Sequence, residues 1–370
     1  MKKFKLFLIL NLGFLSSCNI QSKDSGQDTL YVSAVSDLNT QKPFYQVMLQ
    51  NSEGLYKYDY WEKDSTFTKF DISQLGKGDT LLFENKEQLI YLEPYTLYED
   101  LIMFYNDSNL FSYIKTDKGE EIDGIDFINR VNGEYFVTKI SNLKTPNSAF
   151  EIEEIISFQN EKLNLRWDYF YSDELIYSET ESVSFELHEV EDQLFIIPST
   201  IVNPYPIYHI KHINKDKLEL SYFTDFETKT KIYSKIESKP LVSDARSYSL
   251  CNDHYQSMYY VGDDIRYSKG LERLKGYLQS GMPKISGQGY INLHFTINCN
   301  GHVGRFGLEL LDENYSSTDF DPLVIKHIVD KVSNLKEWDN IDKISYRGAK
   351  DAKMFFLLKI KNNKLTEVCP

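Results

Sequence analysis

The sequence predicts a mostly β chain that ends in a small α+β unit. An antiparallel meander, folded as a barrel or a sandwich, is followed by two helices and three antiparallel strands. Three observations carry this expectation. Tyr and Phe number 27 and 23 among 370 residues, and such flat, stiff side chains pack well on a pleated face. From Asp28 to about Lys239, short aromatic and β-branched runs are cut by turn residues, with no helical block between them. After residue 265 the periodicity changes to helix, alternating strand and helix again.

Composition narrows the function classes. At 41 % hydrophobic residues there is material for a packed core, which a disordered chain lacks. Ten prolines and 18 glycines exclude a collagen-like or Pro-rich rod. A formal charge of −14 argues against nucleic acid, whose binding depends on neutralising phosphates with Lys and Arg.

The first element is a targeting segment. Lys2, Lys3 and Lys5 form a positive start, and Phe4 to Leu15 is almost wholly apolar, broken by Lys5, Asn11 and Gly13. A span needs roughly 20 apolar residues; this shorter core suits a secretory signal, residues 1–17. It ends Leu15-Ser16-Ser17-Cys18, which resembles the lipobox of bacterial lipoproteins. The resemblance implies cleavage before Cys18 and acylation of that residue, which would anchor the protein to a membrane. Several acyl chains, at roughly 0.8 kcal/mol per buried CH₂, hold a protein firmly where one does not. Removing the signal deletes three lysines and no acid, taking the charge to −17. Asn19, where Asp would imply inner-membrane retention, points to the outer membrane. The periplasmic face is expected, with surface exposure left open. Residues 18–27 form a polar tether.

The β-rich region runs over 28–240, divisible at 124/125. Its expected strands include Leu30–Val35, Phe44–Leu49, Leu55–Tyr60, Thr80–Phe83, Leu89–Leu92, Tyr135–Ile140, Lys162–Tyr171, Ser182–Leu187, Gln193–Ile197, Tyr205–Ile210, Leu218–Phe223 and Lys231–Ile236. Gly76-Lys77-Gly78-Asp79, Asn106-Asp107, Asp117-Lys118-Gly119 and Asn132-Gly133 mark turns between them. Leu97–Phe104 and Glu121–Arg130 fit either short helices or turns. Within 125–236, the opening Asn132-Gly133-Glu134-Tyr135 and the later Tyr208-His209-Ile210 and Leu218-Glu219-Leu220 resemble lipocalin-like proteins. Tyr135 stands where that family's Gly-x-Trp would place Trp. The resemblance implies a barrel that holds a small ligand; a meander filled by its own side chains is the alternative.

A linker, 241–264, leads to the C-terminal unit, 265–370. Leu271, Leu274 and Leu278 share one helical face. Ile291, Leu293, Phe295 and Ile297 alternate with polar residues, so Tyr290–Asn298 is a strand with one buried side. Asn300-Gly301 turns the chain into Val303–Leu311. Asp321-Pro322 opens a second helix, Asp as N-cap and Pro where a missing N–H costs nothing. Its stripe is Ile325, Ile328, Val329, Val332 and Leu335. Lys353–Lys361 is the closing strand.

Several motifs in order resemble the C-terminal domain of TonB-like proteins. They are Tyr267-x-x-Gly270, Gly289-x-Ile291-x-Leu293-x-Phe295-x-Ile297, Gly301-x-Val303 and Leu335-x-x-Trp338. Asp339 and Asn340 stand where the family usually has Pro. The resemblance implies contact with an extended segment of an outer-membrane protein through strand addition. Lys353, Phe355, Leu357, Lys359 and Lys361 would lie on the outermost, docking strand. With neither an inner-membrane helix nor a Pro-rich spacer in evidence, a fixed interaction or structural module is expected, not an energy transducer.

No catalytic constellation, phosphate loop, dinucleotide fingerprint, metal motif or cofactor site is present in the sequence pattern. In His209-x-x-His212 the two rings would point to opposite faces of a strand. Glu151, Glu153 and Glu154 read as a solvated strand face or loop. Exported cysteines tend to pair. Antiparallel geometry separates Cys369 from Cys299 by about 25 Å, so Cys251–Cys369 is the favoured disulfide, against three unpaired thiols. The leading function is thus a lipid-anchored envelope protein of interaction or structural type; the alternative is a small-ligand barrel.

Overall fold

The computed structural model describes residues 29–36, 43–51, 54–61, 67–71, 81–85, 88–98, 101–106, 109–140, 148–199, 207–223, 228–237, 245–251, 256–257, 265–284, 287–340, 351–362 and 364–369. The signal, Cys18 and the tether lie outside them. Among the described residues the chain is mostly β, with three short helices.

The first sheet contains β1 (Thr29–Ser36), β2 (Pro43–Asn51), β3 (Gly54–Trp61), β4 (Phe67–Asp71), β5 (Leu81–Asn85), β6 (Gln88–Tyr98), β7 (Leu101–Asn106) and β8 (Asn109–Thr116). Two meanders, β1–β4 and β5–β8, join through the β1–β8 pair. Leu97–Phe104 is neither a helix nor a plain turn: it spans the β6–β7 hairpin, with Leu97 opposite Ile102. So short a segment is a poor isolated helix, and cross-strand pairing satisfies its backbone.

Glu121–Arg130 resolves differently. Asp123 caps helix α1 (Gly124–Val131) by accepting the Asp126 N–H at 2.8 Å, and Phe127 and Val131 are buried. Eight strands follow: β9 (Tyr135–Ile140), β10 (Glu151–Gln159), β11 (Lys162–Tyr171), β12 (Glu174–Val190), β13 (Gln193–Pro198), β14 (Tyr208–Ile213), β15 (Lys217–Phe223) and β16 (Thr228–Ile236). Each pairs antiparallel with its chain neighbours, and β16 returns to β9, with Ser234 opposite Val137. The meander is therefore a closed eight-stranded barrel, which removes every sheet edge. Three of its hairpins turn on Asn160-Glu161, Ser172-Asp173 and Glu191-Asp192, both residues of each pair having positive φ. That conformation matches the right-handed strand twist.

Burial alternates along the barrel strands, so Leu163, Leu165, Trp167 and Tyr169 of β11 face inward. Phe127 of α1 meets Phe158 edge-on at 5.4 Å, and Phe158 meets Phe185 at 5.5 Å, closing one end. β13 is buried on both sides. Leu194 and Ile196 join the barrel core, while Phe195 and Ile197 pack with Leu30, Val32, Val47 and Leu49 of the first sheet. A strand covered on both faces reads as a continuous apolar run, as Leu194-Phe195-Ile196-Ile197 does.

The linker carries two two-residue strands, β17 (Arg246–Ser247) and β18 (Gln256–Ser257), and the C-terminal unit begins with a third, β19 (Arg266–Tyr267). They precede α2 (Leu271–Gln279), β20 (Gly289–Ile297), β21 (Val303–Leu311), α3 (Pro322–Ser333), β22 (Trp338–Asp339), β23 (Asp351–Lys361) and β24 (Lys364–Cys369). Asp321 caps α3 through the Leu323 N–H at 2.9 Å, with Pro322 at its first position. The inward residues of β20, β21 and β23 and the stripes of α2 and α3 share one core with the barrel.

Three expectations are corrected here. The sheet has five strands, not three, and Lys353–Lys361 is not a free edge along its length, since β24 covers Leu357–Lys361. β23 pairs with β20 on one side and with β18 and β24 on the other. The chain reverses after Lys361, with Asn362 at positive φ, and α2 buries Leu365 of the returning strand. Lys353, Phe355, Leu357 and Lys359 lie on the sheet's half-exposed face, and Lys361 is at the reversal. The disulfide is Cys251–Cys299, with Cα atoms 5.9 Å apart, and Cys369 is an exposed thiol. β23 does lie antiparallel to β20, so Cys369 is remote from Cys299 as expected. What differs is the linker path. The Tyr248 hydroxyl donates to the Thr296 carbonyl at 3.2 Å, and Asn298 Nδ2 donates to the Ser249 carbonyl at 2.9 Å. These bonds bring Cys251 to the hairpin turn.

Candidate functional site

The barrel interior carries charge. Glu154 lies on the same side of β10 as Ile152, Ile156 and Phe158 and is 3 % exposed. Its solvated reading is therefore corrected: parity with three apolar neighbours turns it inward. Oε1 accepts from Lys231 Nζ at 2.7 Å and the Tyr233 hydroxyl at 2.5 Å; Oε2 accepts from Trp167 Nε1 at 2.9 Å. Burial pushes Glu154 up, but the Lys231 charge and these three hydrogen bonds outweigh it and hold the carboxyl below its ordinary range. Lys231 also stands 5.1 Å from the centre of the Tyr222 ring.

Trp167 links this group to a second one at the barrel mouth. Over the indole, 3.7 Å from its centre, lies the guanidinium of Arg305 from β21. Arg305 Nη1 donates to Glu179 Oε1 and Nη2 to Glu181 Oε2, each at 3.0 Å. The Arg305 backbone N–H donates to Glu179 Oε2 at 3.0 Å, and the Tyr169 hydroxyl to Glu179 Oε1 at 2.8 Å. Burial opposes the Arg305 charge, but Glu179, then Tyr169 and Glu181, hold the guanidinium firmly protonated. Burial, reinforced by Glu179, pushes the Tyr169 hydroxyl well above its ordinary value, so it remains a donor.

A bulge delivers Arg305. His294 pairs with Gly307 and Thr296 with Gly304, so Arg305 and Phe306 stand opposite the single Phe295. The extra residue bends the strand. Phe306 stays in the core, 4.8 Å from Tyr177, while Arg305, at φ +55°, enters the barrel. Gly304 permits the approach: a Cβ there would lie 2.6 Å from Glu179 Oε2 and 2.7 Å from the Tyr248 ring. Gly304→Ala should cost about 1–3 kcal/mol through overpacking. By contrast Gly276→Ala on α2, with open space around the new methyl, should stabilise by about 0.5–1 kcal/mol. Thermal melts of the two variants check the opposite signs; a neutral Gly304→Ala would show that the junction yields.

Both carboxylate groups are occupied by donors, and Glu154 stays ionised at neutral pH. The arrangement holds charge inside the barrel. The sequence-derived site residues are elsewhere. Cys18 is outside the described residues, and Cys251 is paired with Cys299. His209 and His212 share the barrel's outer side, contrary to expectation, because a bulge falls between Ile210 and His212. They remain separate: His209 Nε2 bonds Gln193 Oε1 at 3.0 Å, and His212 Nδ1 bonds Glu120 Oε1 at 2.5 Å. Among the described residues no group of three His, Cys, Asp or Glu is arranged to hold a metal, and no helix is long and apolar enough to cross a membrane.

No protein family and no curated protein matches this chain. Among solved structures, the DNA polymerase III β chain of Streptococcus pneumoniae TIGR4 aligns with 92 % of this chain and 91 % of its own. Identity is 9 % and the TM-score 0.16, which carries no argument.

Proposed function

We propose that the protein is a lipid-anchored component of a bacterial cell envelope, held at the outer membrane by acylated Cys18. Its C-terminal unit would serve as a TonB-like interaction or structural module that does not transduce energy. The observation that carries this is the order β19, α2, β20, β21, α3, β22, β23, in which Arg266-Tyr267 pairs with Trp338-Asp339. Tyr267 and Trp338 are among the motif residues on which the resemblance rests. The Cys251–Cys299 disulfide supports an oxidising, exported location. With β23 covered, an extended partner segment would add to β24. Cys18→Ala should leave the chain unprocessed or release it to the soluble fraction; a variant that stays processed and membrane-bound sinks the anchor. Crosslinking in intact envelopes, followed by identification of the crosslinked partner, tests the module. An outer-membrane protein joined through β24 supports it, and the absence of any crosslink there removes it.

A small-ligand barrel, as in lipocalin-like proteins, is the second function, favoured by closure of eight up-and-down strands. Native mass spectrometry of the envelope-purified chain tests it: a co-purifying small molecule supports it, a ligand-free mass removes it.

A further inference from the structure

The seam between the first sheet and the barrel is an apolar cluster separate from the main core, with Phe195, Ile197 and Ile207 on the barrel side. His209 stands opposite Phe195 in the β13–β14 pair, and the two rings stack with centroids 4.7 Å apart. The imidazole is wholly buried. We propose that His209 makes this seam a pH-responsive latch: a proton on its Nδ1 releases the first sheet, β1–β8, while the barrel stays closed.

The hydrogen bonds fix where the existing proton sits. Gln193 Oε1 accepts the Gly119 backbone N–H at 2.5 Å, and Gln193 Nε2 donates to the Asp192 carbonyl at 3.0 Å, which sets the orientation of the amide. The same Oε1 lies 3.0 Å from His209 Nε2, so that nitrogen is the donor. Nδ1 is then the bare nitrogen of a neutral ring, and it is buried without a hydrogen-bond partner among the described residues. A second proton would place a cationic N–H there with no acceptor, which is costly in an apolar setting.

The surrounding charges give no relief. Lys211, two residues along β14, acts on the ring as a like charge, while Asp117 and Glu219 act on Lys211. Glu120 bonds His212. From β13 comes the neutral Gln193, and from β15 Ser221, whose hydroxyl is shared with Thr230. The seam residues of β1 and β2 are Leu30, Val32, Val47 and Leu49. Burial first, then Lys211, holds the ring well below its ordinary value.

Opening the seam is the easier route to water. Ladder hydrogen bonds hold β14 to β13 and β15 within a closed sheet. The first sheet meets the barrel through the seam cluster and the crossing segment 117–120, whose Gly119 N–H shares Gln193 Oε1 with His209. In the open state the ring regains an ordinary histidine value, near 6.5, and binds the proton more readily. The stabilisation is therefore fully present above that value and is lost as pH falls toward the lowered closed-state value. Between about pH 7.5 and about pH 5 the open population rises by up to about 30-fold, the limit set by an ordinary histidine.

Hydrogen exchange of the full chain at these two pH values, corrected for intrinsic rates, tests this. Backbone protection in β1, β2 and β13 should fall by up to about 30-fold at the lower pH, while β10 and β11 keep theirs. In His209→Phe, which retains a ring against Phe195 and leaves Gly119 its bond to Gln193, the fall should vanish. Exchange of the histidine ring C–H, resolved by residue in the unaltered chain, needs no variant and should show His209 titrating below its ordinary value. If His209→Phe does not accumulate folded, that titration and the seam protection decide together: a lowered titration with loss of seam protection supports the latch. Equal seam protection at both pH values, an equal fall in His209→Phe, or an ordinary His209 titration with the seam closed overturns it.

Discussion

Glu154→Ala is expected to cost the fold about 3–5 kcal/mol, the range for breaking a buried charge pair from one side. Lys231 Nζ, Trp167 Nε1 and the Tyr233 hydroxyl would each lose the bond they make to the Glu154 carboxylate inside the barrel. Urea denaturation of Glu154→Ala beside Glu151→Ala measures it. Glu151 pairs with Lys139 on the surface, where water screens the charges and such pairs contribute little. Equal losses for the two variants would show that Lys231 reaches solvent or another partner.

A pH signature follows from the same carboxylate. The folded state holds Glu154 below its unfolded value, so the unfolded chain binds the proton more readily. The stabilisation is fully present above the ordinary carboxylate pKa and is lost as pH falls through the lowered folded value. Melting temperature should therefore drop on the acid side of the ordinary glutamate range. Glu154→Gln, neutral at all pH values, should have a shallower acid limb than the unaltered chain; identical acid limbs would assign the transition to other carboxylates.

Cys299→Ser should cost about 4 kcal/mol. The disulfide spans 48 positions, and the loop-closure entropy of a chain that long gives this magnitude. Calorimetry with and without reductant checks it. Reduction should lower Tm in the unaltered chain and leave Cys299→Ser unmoved. Peptide mapping under non-reducing conditions should return the Cys251–Cys299 crosslink; a Cys251–Cys369 peptide would mean that the linker runs along the opposite end of β23.

How much was legible depends on how far the deciding contact lies along the chain. β20 and α3 were readable because their signals are local: strict alternation from Ile291 to Ile297, and a capped, Pro-started stripe from Asp321. Glu154 carries a local signal of burial, since its parity matches Ile152, Ile156 and Phe158. The tight turns at Asn160-Glu161 and Ser172-Asp173 lack the Asn-Gly or Asp-Gly pair that usually announces them, so β10 is not marked and β12 is marked only over Ser182–Leu187, whereas the expected Lys162–Tyr171 matches β11 at both ends. β24 gave no alternation strong enough to mark a strand. Its pairing with β23 and burial under α2 supply what its pattern lacks.

Local residue pattern is enough to specify a β-rich chain, the helix–hairpin–helix–strand order of the C-terminal unit, and the apolar faces of its elements. Periods of two and 3.6 residues are properties of the backbone and appear wherever one side is buried. Long-range packing settles that β16 closes on β9, that Cys251 meets Cys299, that β24 covers Leu357–Lys361, and that Arg305 enters the barrel. Each of these depends on where distant segments meet. A bulge of one residue or the course of a linker changes the outcome while leaving local periodicity almost untouched.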